Sequence, residues 1–323
     1  MSALQKEMLV IVTPVYEDAE VASHLFQALA GVFNNQVYIV AVDDGSIRRP
    51  VDISNIEDAN LPGVIICLKR NVGHQRAIAI GLSYVAENLP DAERVIVMDS
   101  DGEDLPESIK ELLKQLDSND LDLVVAERKS RVETLRFRLF YSVYKWLFWL
   151  LSGRKINFGN FMALKPAAVK RLVAMQELGI HVAACVLTSK LRMATCALDR
   201  GPRYTGTSKM NFVALTLHGF KGLMVFAEDV LVRVGIACAL IAALSVLAGA
   251  AAILLKVLGF ATPGWFSVAL GILFLMFLQT GALTLITLML TGVVKGGNVA
   301  AVDYRESIDT IIQTKIQAGS LGS

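Results

Sequence analysis

Two aspartates two positions apart, Asp99 and Asp101, are the part of the sequence best suited to chemistry. They follow a short apolar run at residues 95–98, and in an extended chain residues two apart point to the same side. Two adjacent carboxylates repel each other unless a cation lies between them, and Mg2+ and Mn2+ prefer such oxygen ligands. The pair therefore predicts a divalent metal site. The alternative is a solvated acidic turn before a helix that begins near Pro106.

Polar clusters follow three other apolar runs in the same way. They lie at residues 14–18 (PVYED), 43–46 (DDGS) and 69–74 (KRNVGH). Each cluster alone also fits an ordinary turn. Ligands of open α/β sheets bind at the carboxyl ends of the strands, so clusters after four strands indicate one shared site. The sequence has no G-x-G-x-x-G and no P-loop lysine motif, which argues against a dinucleotide site and a P-loop ATPase.

The elements that must position these clusters alternate between strands and helices. Strands are predicted at residues 8–13, 37–42, 64–68, 95–98 and 121–125, and helices at residues 19–33, 75–88 and 106–116. The strand runs are almost continuously apolar, which is typical of strands covered on both faces. The pattern predicts an α/β fold with a mostly parallel sheet and helices on both faces.

The C-terminal third of the chain is far more apolar. The mean hydropathy of the whole chain is +0.51, and Lys256 is the only charged residue between Val234 and Val294. As a helix, residues 234–255 would be about 33 Å long, against roughly 30 Å for the hydrocarbon core of a bilayer. Residues 265–294 form a longer run. Two transmembrane helices are predicted, which excludes a purely soluble enzyme, a disordered chain and a transporter with many spans.

The flanking charges predict the orientation of these helices. Arg233 precedes the first span and Lys295 follows the second, so the positive-inside rule places both flanks in the cytoplasm. The polar N-terminus argues against a cleaved signal peptide. We therefore expect a multi-pass protein of the cell inner (cytoplasmic) membrane, with its catalytic domain and both termini cytoplasmic. The net charge of +1 gives no reason to expect a nucleic acid partner.

Basic and aromatic residues alternate along residues 128–155, where Glu133 is the only acid. Such a mixture suits nucleic acid, but beside a membrane anchor it more often forms an interfacial helix. A second basic group at residues 200–209 precedes an amphipathic stretch at residues 211–233. Two basic groups that flank interfacial helices would suit an anionic lipid head group.

The order of these motifs resembles that of the inverting family 2 glycosyltransferases with the GT-A fold. Within that family it is similar to the polyprenyl-phosphate glycosyltransferases, the dolichol-phosphate mannose synthase-like enzymes and their bacterial relatives. The match runs from about Leu9 to Val294. Its motifs are Pro14-x-Tyr16, Asp43-Asp44-Gly45-Ser46, Arg70-Asn71-x-Gly73, Asp99-x-Asp101-x-x-Asp104-x-Pro106-Glu107, Arg128-x-x-Arg131, Gly159-x-Phe161 and Arg200-x-x-Arg203-x-x-Gly206-x-Ser208-Lys209.

The resemblance implies transfer of a sugar from a UDP- or GDP-sugar to an undecaprenyl or dolichyl phosphate. The implied metal ligands for Mg2+ or Mn2+ are Asp99, Asp101 and Glu103, and the implied catalytic positions are Asp99, Asp101, Asp104 and Asn160. The implied donor nucleotide residues are Pro14, Tyr16, Asp18, Asp44, Arg70 and Asn71. Those implied to face the phosphates of donor or acceptor are Arg128, Arg131, Arg200, Arg203, Ser208 and Lys209.

One departure from the family bears on the acceptor. Relatives commonly have an aspartate where this chain has Asn160. A hydroxyl acceptor needs a base to remove its proton, whereas a lipid monophosphate, with a second pKa of about 6, is already anionic at neutral pH. Asn160 therefore favours a phosphate acceptor. The alternatives are transfer to a neutral lipid hydroxyl, as in diacylglycerol or ceramide, and a catalytically inactive sugar-nucleotide-binding membrane scaffold.

The sequence predicts four consecutive regions. Residues 1–130 form the nucleotide-sugar-binding core, and residues 131–233 form an acceptor-side region with interfacial helices. Residues 234–294 hold the two transmembrane helices, and residues 295–323 form a cytoplasmic tail. Small residues on the first span, at positions 235, 239 and 243, would permit helix association and a homo-oligomer.

Overall fold

The chain divides into two compact units. The computed structural model describes residues 8–118, 120–128, 135–204, 212–260, 264–296 and 303–315. The first unit comprises Met1–Glu133, Ile156–Val225 and Ala301–Ser323, and the second comprises Thr134–Lys155 and Phe226–Ala300. The segment 131–233, predicted as one region, is thus shared between the two units.

An eight-stranded sheet forms the centre of the first unit. Its strands are β1 Met8–Val15, β2 Val37–Asp43, β3 Gly63–Leu68, β4 Ala92–Val97, β5 Leu123–Arg128, β6 Phe158–Leu164, β7 Met193–Leu198 and β8 Ile308–Gln313. Their order across the sheet is β7-β5-β6-β4-β1-β2-β3-β8. Strand β6 is antiparallel to β4 and β5, and β8 is antiparallel to β3; the other neighbours are parallel. The predicted α/β class with a mostly parallel sheet is confirmed.

Helices cover both faces of this sheet. They are α1 Ala19–Phe33, α2 Ile53–Glu57, α3 His74–Asn88, α4 Ile109–Ser118, α6 Pro166–Val173 and α7 Val182–Thr188. Helix α5, Leu135–Ser152, belongs to the second unit, and α8, Phe212–Val225, packs against α7. Successive strand residues alternate between two apolar cores. Ile11 and Ile39 pack with α1, α2 and α4, whereas Val10 and Val40 pack with α3, α6 and α7. Burial on both faces explains why the strand sequences are almost continuously apolar.

The second unit consists of three helices, α5 Leu135–Ser152, α9 Ala227–Val257 and α10 Trp265–Gly296. Two segments, Ala227–Val257 and Trp265–Thr287, are long and apolar enough to cross a membrane. Small residues let α9 and α10 approach closely: a Cβ atom on Gly235 would lie 3.1 Å from Thr287 Oγ1. Gly235 is therefore used in packing within the chain, while Ala239 and Ala243 are exposed.

Strand β8 lies in the predicted tail and extends the sheet at the edge of β3. The Thr314 N–H donates to the Gly63 carbonyl at 3.0 Å. Because strand residues alternate in direction, the N–H of Ile312 also faces β3, whereas that of Ile311 points away from the sheet. Nearby, Tyr304 Oη donates to Glu87 Oε2 at 2.8 Å. The segment that follows α10 is thus part of the folded sheet unit.

This alternation allows a matched pair of proline substitutions. We expect Ile312→Pro to remove a hydrogen bond of the β3–β8 ladder and to lower the free energy of unfolding of the sheet unit by about 1–3 kcal/mol. Ile311→Pro removes an N–H that points outward, and the two side chains are similarly exposed, at 39% and 45%. Thermal unfolding compares the two variants, and an equal loss in both would contradict the pairing.

Candidate active site

Side chains tie together the loops that follow β1, β2 and β4. The Glu17 N–H donates to Ser46 Oγ at 2.7 Å, and Ser100 Oγ donates to the Pro14 carbonyl at 3.3 Å. In the second loop, Asp43 accepts the N–H groups of Ser46 and Val51, at 2.8 and 2.9 Å. The polar clusters predicted from the sequence therefore meet at one edge of the sheet.

Glu17 holds the loop after β2 by its backbone. Its carboxylate accepts the N–H groups of Ile47 and Arg49 at 2.8 Å each, and that of Arg48 at 3.0 Å. These bonds, that of Ile47 first, lower the pKa of Glu17. Glu17 has a φ of 52°, a left-handed conformation that is unusual for glutamate. The ionised side chain compensates for this conformation by satisfying three consecutive backbone donors.

Asp44 links the loop after β2 to the loop after β3. Its side chain is 3% exposed and accepts the N–H groups of Val72 and Gly73, at 2.7 and 3.0 Å. Burial raises its pKa, and the two hydrogen bonds oppose that change. Gly45, at φ 69°, fits beside the Arg70 backbone because it has no side chain. Asp44 is therefore buried under the loops after β2 and β3 and holds the backbone of the second of these loops.

The carboxylates after β4 have different surroundings. Asp104 is 4% exposed and accepts the Asp99 N–H at 3.0 Å, so it supports the loop from below. Asp101 accepts the Glu103 N–H through one oxygen, at 3.0 Å. Burial first, and then the charge of Asp99, raise the pKa of Asp101. The two carboxylates are thus close enough for the charge of Asp99 to act on Asp101.

Two arginines from a second segment face these carboxylates. Arg203 Nη2 lies 2.9 Å from Asp101 Oδ2, and Arg203 Nε donates to Glu103 Oε1 at 2.7 Å. Arg200 forms an ion pair with the other oxygen of Glu103. We call residues 200–204 the arginine segment. Its backbone follows the acidic loop, since the Gly201 N–H donates to the Glu103 carbonyl at 3.0 Å and the Tyr204 N–H to that of Asp101 at 3.1 Å.

His74 lies between Asp99 and the amide of Asn160. His74 Nε2 lies 3.0 Å from Asp99 Oδ1 and 3.0 Å from Asn160 Nδ2. Burial disfavours the charged imidazole, but the negative charges of Asp99, Asp101 and Asp44 outweigh it and raise the pKa of His74. Asn160 Oδ1 in turn accepts from Gln75 Nε2 at 3.2 Å. His74 and Asn160 therefore lie in the same site as the aspartate pair.

The remaining predicted donor residues surround these loops. Pro14 lies in β1, Tyr16 is 47% exposed beyond its end, and Asp18 precedes α1. Arg70 and Asn71 are exposed after β3. Among the predicted phosphate ligands, Arg128 ends β5, and its side chain lies outside the described residues, as do Arg131, Ser208 and Lys209.

A divalent cation fits only part of the predicted ligand set. Within the described ranges, no group of three or more His, Cys, Asp or Glu side chains is arranged to hold a metal ion. Glu103 is engaged by both arginines. Asp99 and Asp101 have the oxygen donors and the mutual repulsion that a cation relieves, so these two residues fit such an ion.

Three contributors were missed from the sequence. Asp43 and Glu17 hold the loop of residues 46–51, and Gln75 orients Asn160. Asp43 belongs to the DDGS cluster, where no feature of the sequence distinguishes the two aspartates. Gln75 lies in the first turn of α3, and its partners are far away in sequence, at residues 160 and 182.

The chain is similar to known glycosyltransferases. Residues 10–169 match the model of the family described as glycosyl transferase family 2. The uncharacterized glycosyltransferase sll0501 of Synechocystis is 29% identical over 297 residues, which cover 88% of each chain. The undecaprenyl-phosphate 4-deoxy-4-formamido-L-arabinose transferase of Klebsiella pneumoniae is 23% identical over 214 residues, covering 64% of this chain and 63% of the relative.

Among solved structures, the chain is similar to glucosyl-3-phosphoglycerate synthase from Mycobacterium tuberculosis, crystallised with Mn2+ and uridine-diphosphate-glucose. The TM-score is 0.49 at 14% sequence identity, over 70% of this chain and 79% of the other.

The Glu17 contacts predict local protection of the loop after β2. We expect Glu17→Ala to accelerate hydrogen exchange at the amides of residues 47–49, because it removes their acceptor. Since the pKa of Glu17 is lowered from 4.5, protection in the wild type should remain at pH 4.5 and be lost as the pH falls through the lowered value. Glu20→Ala, at an exposed position of α1, is the control. Unchanged exchange in Glu17→Ala would contradict the contact.

A substitution at Gly102 tests how the arginine segment packs against the acidic loop. At φ 88°, its added Cβ would lie 2.7 Å from the Tyr204 ring. We expect Gly102→Ala to lower the free energy of unfolding by about 1–2 kcal/mol, from backbone strain and displacement of Tyr204. Gly31→Ala in α1 meets no atom within 4 Å and should be neutral or stabilising. Equal melting temperatures for the two variants would contradict the observed packing.

Proposed function

We propose that this chain, which belongs to glycosyl transferase family 2, moves a sugar from a UDP- or GDP-sugar to a polyprenyl phosphate at the cytoplasmic face of the membrane. The observation that carries the proposal is a paired arrangement of charge. Asp99 and Asp101 stand at the end of β4, and Arg200 and Arg203 face the same acidic loop. Such a site brings cations to anionic substrates in two ways, through a metal and through guanidinium groups.

The carboxylates serve the donor. Asp99 and Asp101 would hold Mg2+ or Mn2+, which when bound neutralises the charge that develops on the departing nucleoside diphosphate. The loops around Tyr16, Asp44 and Arg70 would hold the base and ribose. Because Asp44, Asp43 and Glu17 fix the loop backbones by hydrogen bonds, this part of the donor site is pre-organised.

The arginines serve the phosphates. Without substrate, Arg203 and Arg200 are paired with Asp101 and Glu103. A guanidinium group binds phosphate oxygens as readily as carboxylate oxygens. We expect both arginines to exchange carboxylate contacts for phosphate contacts when donor and acceptor bind.

The acceptor is proposed to be a lipid. Two segments are long and apolar enough to span a membrane. Helix α8 ends at Val225, directly before α9, and exposes Leu217, Phe220 and Met224. These side chains would lie at the membrane surface. The Klebsiella pneumoniae relative, named as an undecaprenyl-phosphate transferase, supports this acceptor class.

The proposed reaction needs no base on the protein. A phosphate monoester is largely ionised at neutral pH, so its oxygen can attack the anomeric carbon directly. Attack opposite to the leaving diphosphate inverts the configuration of that carbon. An amide at position 160 is compatible with this reaction, whereas a hydroxyl acceptor requires a base.

The test uses the full chain in nanodiscs with a panel of UDP- and GDP-sugars. Undecaprenyl phosphate and diacylglycerol are compared as acceptors, each with Mg2+, with Mn2+ and with EDTA. We expect a sugar lipid from the phosphate acceptor and loss of turnover in EDTA. In Asp101→Ala we expect the rate to fall about 100-fold or more. The control, Asp91→Ala, removes an exposed carboxylate before β4 and should keep full activity.

Two results would contradict the proposal. If no donor gives a sugar lipid, the chain would be a sugar-nucleotide-binding protein that does not catalyse transfer. Product from diacylglycerol alone would assign a hydroxyl acceptor.

A further inference from the structure

A backbone donor fixes the direction of a chain of side-chain amides. The Val182 N–H at the start of α7 donates to Gln75 Oε1 at 2.6 Å. A backbone nitrogen can only donate, so the oxygen of Gln75 must face Val182 and its nitrogen must face the other way. That nitrogen lies 3.2 Å from Asn160 Oδ1. Asn160 Oδ1 is therefore occupied as an acceptor, and Asn160 Nδ2 must face the active site.

Burial makes this orientation costly to reverse. Gln75 is 8% exposed, and Val182 is fully buried at the first position of α7. Rotating the Gln75 amide would bring two N–H donors together and leave both unsatisfied away from water. Rotating Asn160 alone would create the same conflict with Gln75 Nε2. The two amides are thus oriented together by a helix terminus outside the predicted motifs.

The result is a hydrogen-bond donor inside the active site. Asn160 Nδ2 lies 3.0 Å from His74 Nε2, which contacts Asp99. An amide nitrogen carries two hydrogens. Because His74 Nε2 donates to Asp99, it cannot also accept from Asn160, so within the described part of the chain both hydrogens are available to a substrate oxygen. A donor of fixed direction can bind an anionic oxygen and cannot remove a proton.

We propose that Gln75 is a positioning residue which, by fixing Asn160 as a donor, builds a binding point for a phosphate oxygen beside Asp99. The inference rests on the proposed function and specifies how the site distinguishes an anionic substrate from a neutral hydroxyl. The oxygen belongs either to the lipid monophosphate or to the donor diphosphate, which offer the same chemistry.

Gln75→Glu reverses the orientation with almost no change of shape. Both oxygens of a glutamate accept, so the new side chain would keep the Val182 bond and take a hydrogen from Asn160 Nδ2. Asn160 would then turn its oxygen toward the substrate and repel a phosphate. Gln75→Met is the matched control, because it removes both hydrogen bonds and leaves Asn160 free to choose its direction.

The measurement is steady-state kinetics of the full chain in nanodiscs, with undecaprenyl phosphate and the nucleotide sugar varied separately. We expect Gln75→Glu to raise one KM about tenfold or more, with a smaller effect on kcat and a smaller effect in Gln75→Met. A raised KM for undecaprenyl phosphate assigns the oxygen to the acceptor. A raised KM for the nucleotide sugar assigns it to the donor.

Asn160→Asp gives a second test, because Gln75 Nε2 can still donate to the new carboxylate. The negative charge of the new carboxylate should raise the same KM that Gln75→Glu raises. Binding of farnesyl phosphate and of UDP to the metal-free protein, measured by calorimetry, should weaken for the same ligand in Asn160→Asp and Gln75→Glu.

Three results would overturn the inference. They are equal KM values in wild type and Gln75→Glu, equal defects in Gln75→Glu and Gln75→Met, and an Asn160→Asp variant with higher kcat and unchanged KM. If Gln75→Glu fails to fold, as judged by its melting temperature, the KM values and ligand affinities of Asn160→Asp decide whether the inference holds. An inactive wild type would contradict the proposed function, whereas an active wild type with these results would contradict the role of Gln75 alone.

Discussion

Carboxylates that accept backbone N–H groups hold the loops of the candidate active site in place. Asp43, Asp44, Asp104 and Glu17 each bind amides of a loop at the carboxyl edge of the sheet. Loops of this kind have few apolar side chains with which to pack, so their order depends on polar contacts. The cost is a concentration of negative charge at one edge of the sheet. The cations proposed for catalysis, Arg200, Arg203 and a metal, also relieve that charge.

This arrangement joins stability to function. The pKa of Asp101 is raised because the residue is buried and lies near Asp99, and Arg203 partly compensates. A group that is incompletely neutralised in the resting site is ready to take a cation. The same reasoning explains why the arginine segment packs so closely along the acidic loop, with Gly102 against Tyr204.

The fold was predictable where side-chain pattern and burial agree. The five predicted strands and α1 were found because both faces of the central strands are covered, which produces unbroken apolar runs. Strands β6 and β7 were missed because their sequences, FGNFMAL and MATCAL, contain few β-branched residues. Strand β8 was missed because it lies at an edge and five of its six residues are exposed.

The site was predictable in part, for a similar reason. The aspartate pair was visible because both residues lie on one local segment, and position 160 because it belongs to a motif. Glu17, in a left-handed conformation, and Gln75, which contacts residues 160 and 182, depend on tertiary contacts. No local spacing rule reports such contacts.

The position of β8 also constrains how the protein is made. Strand β3 is complete early in translation, but its partner at residues 308–313 follows both apolar helices in the chain. A nascent chain would therefore carry an open sheet edge while the two helices leave the ribosome, and open edges favour misassociation. Closure of the sheet would come last, after both apolar helices have been synthesised. Completion of the sheet is in this way linked, by the order of the sequence, to the synthesis of both apolar helices.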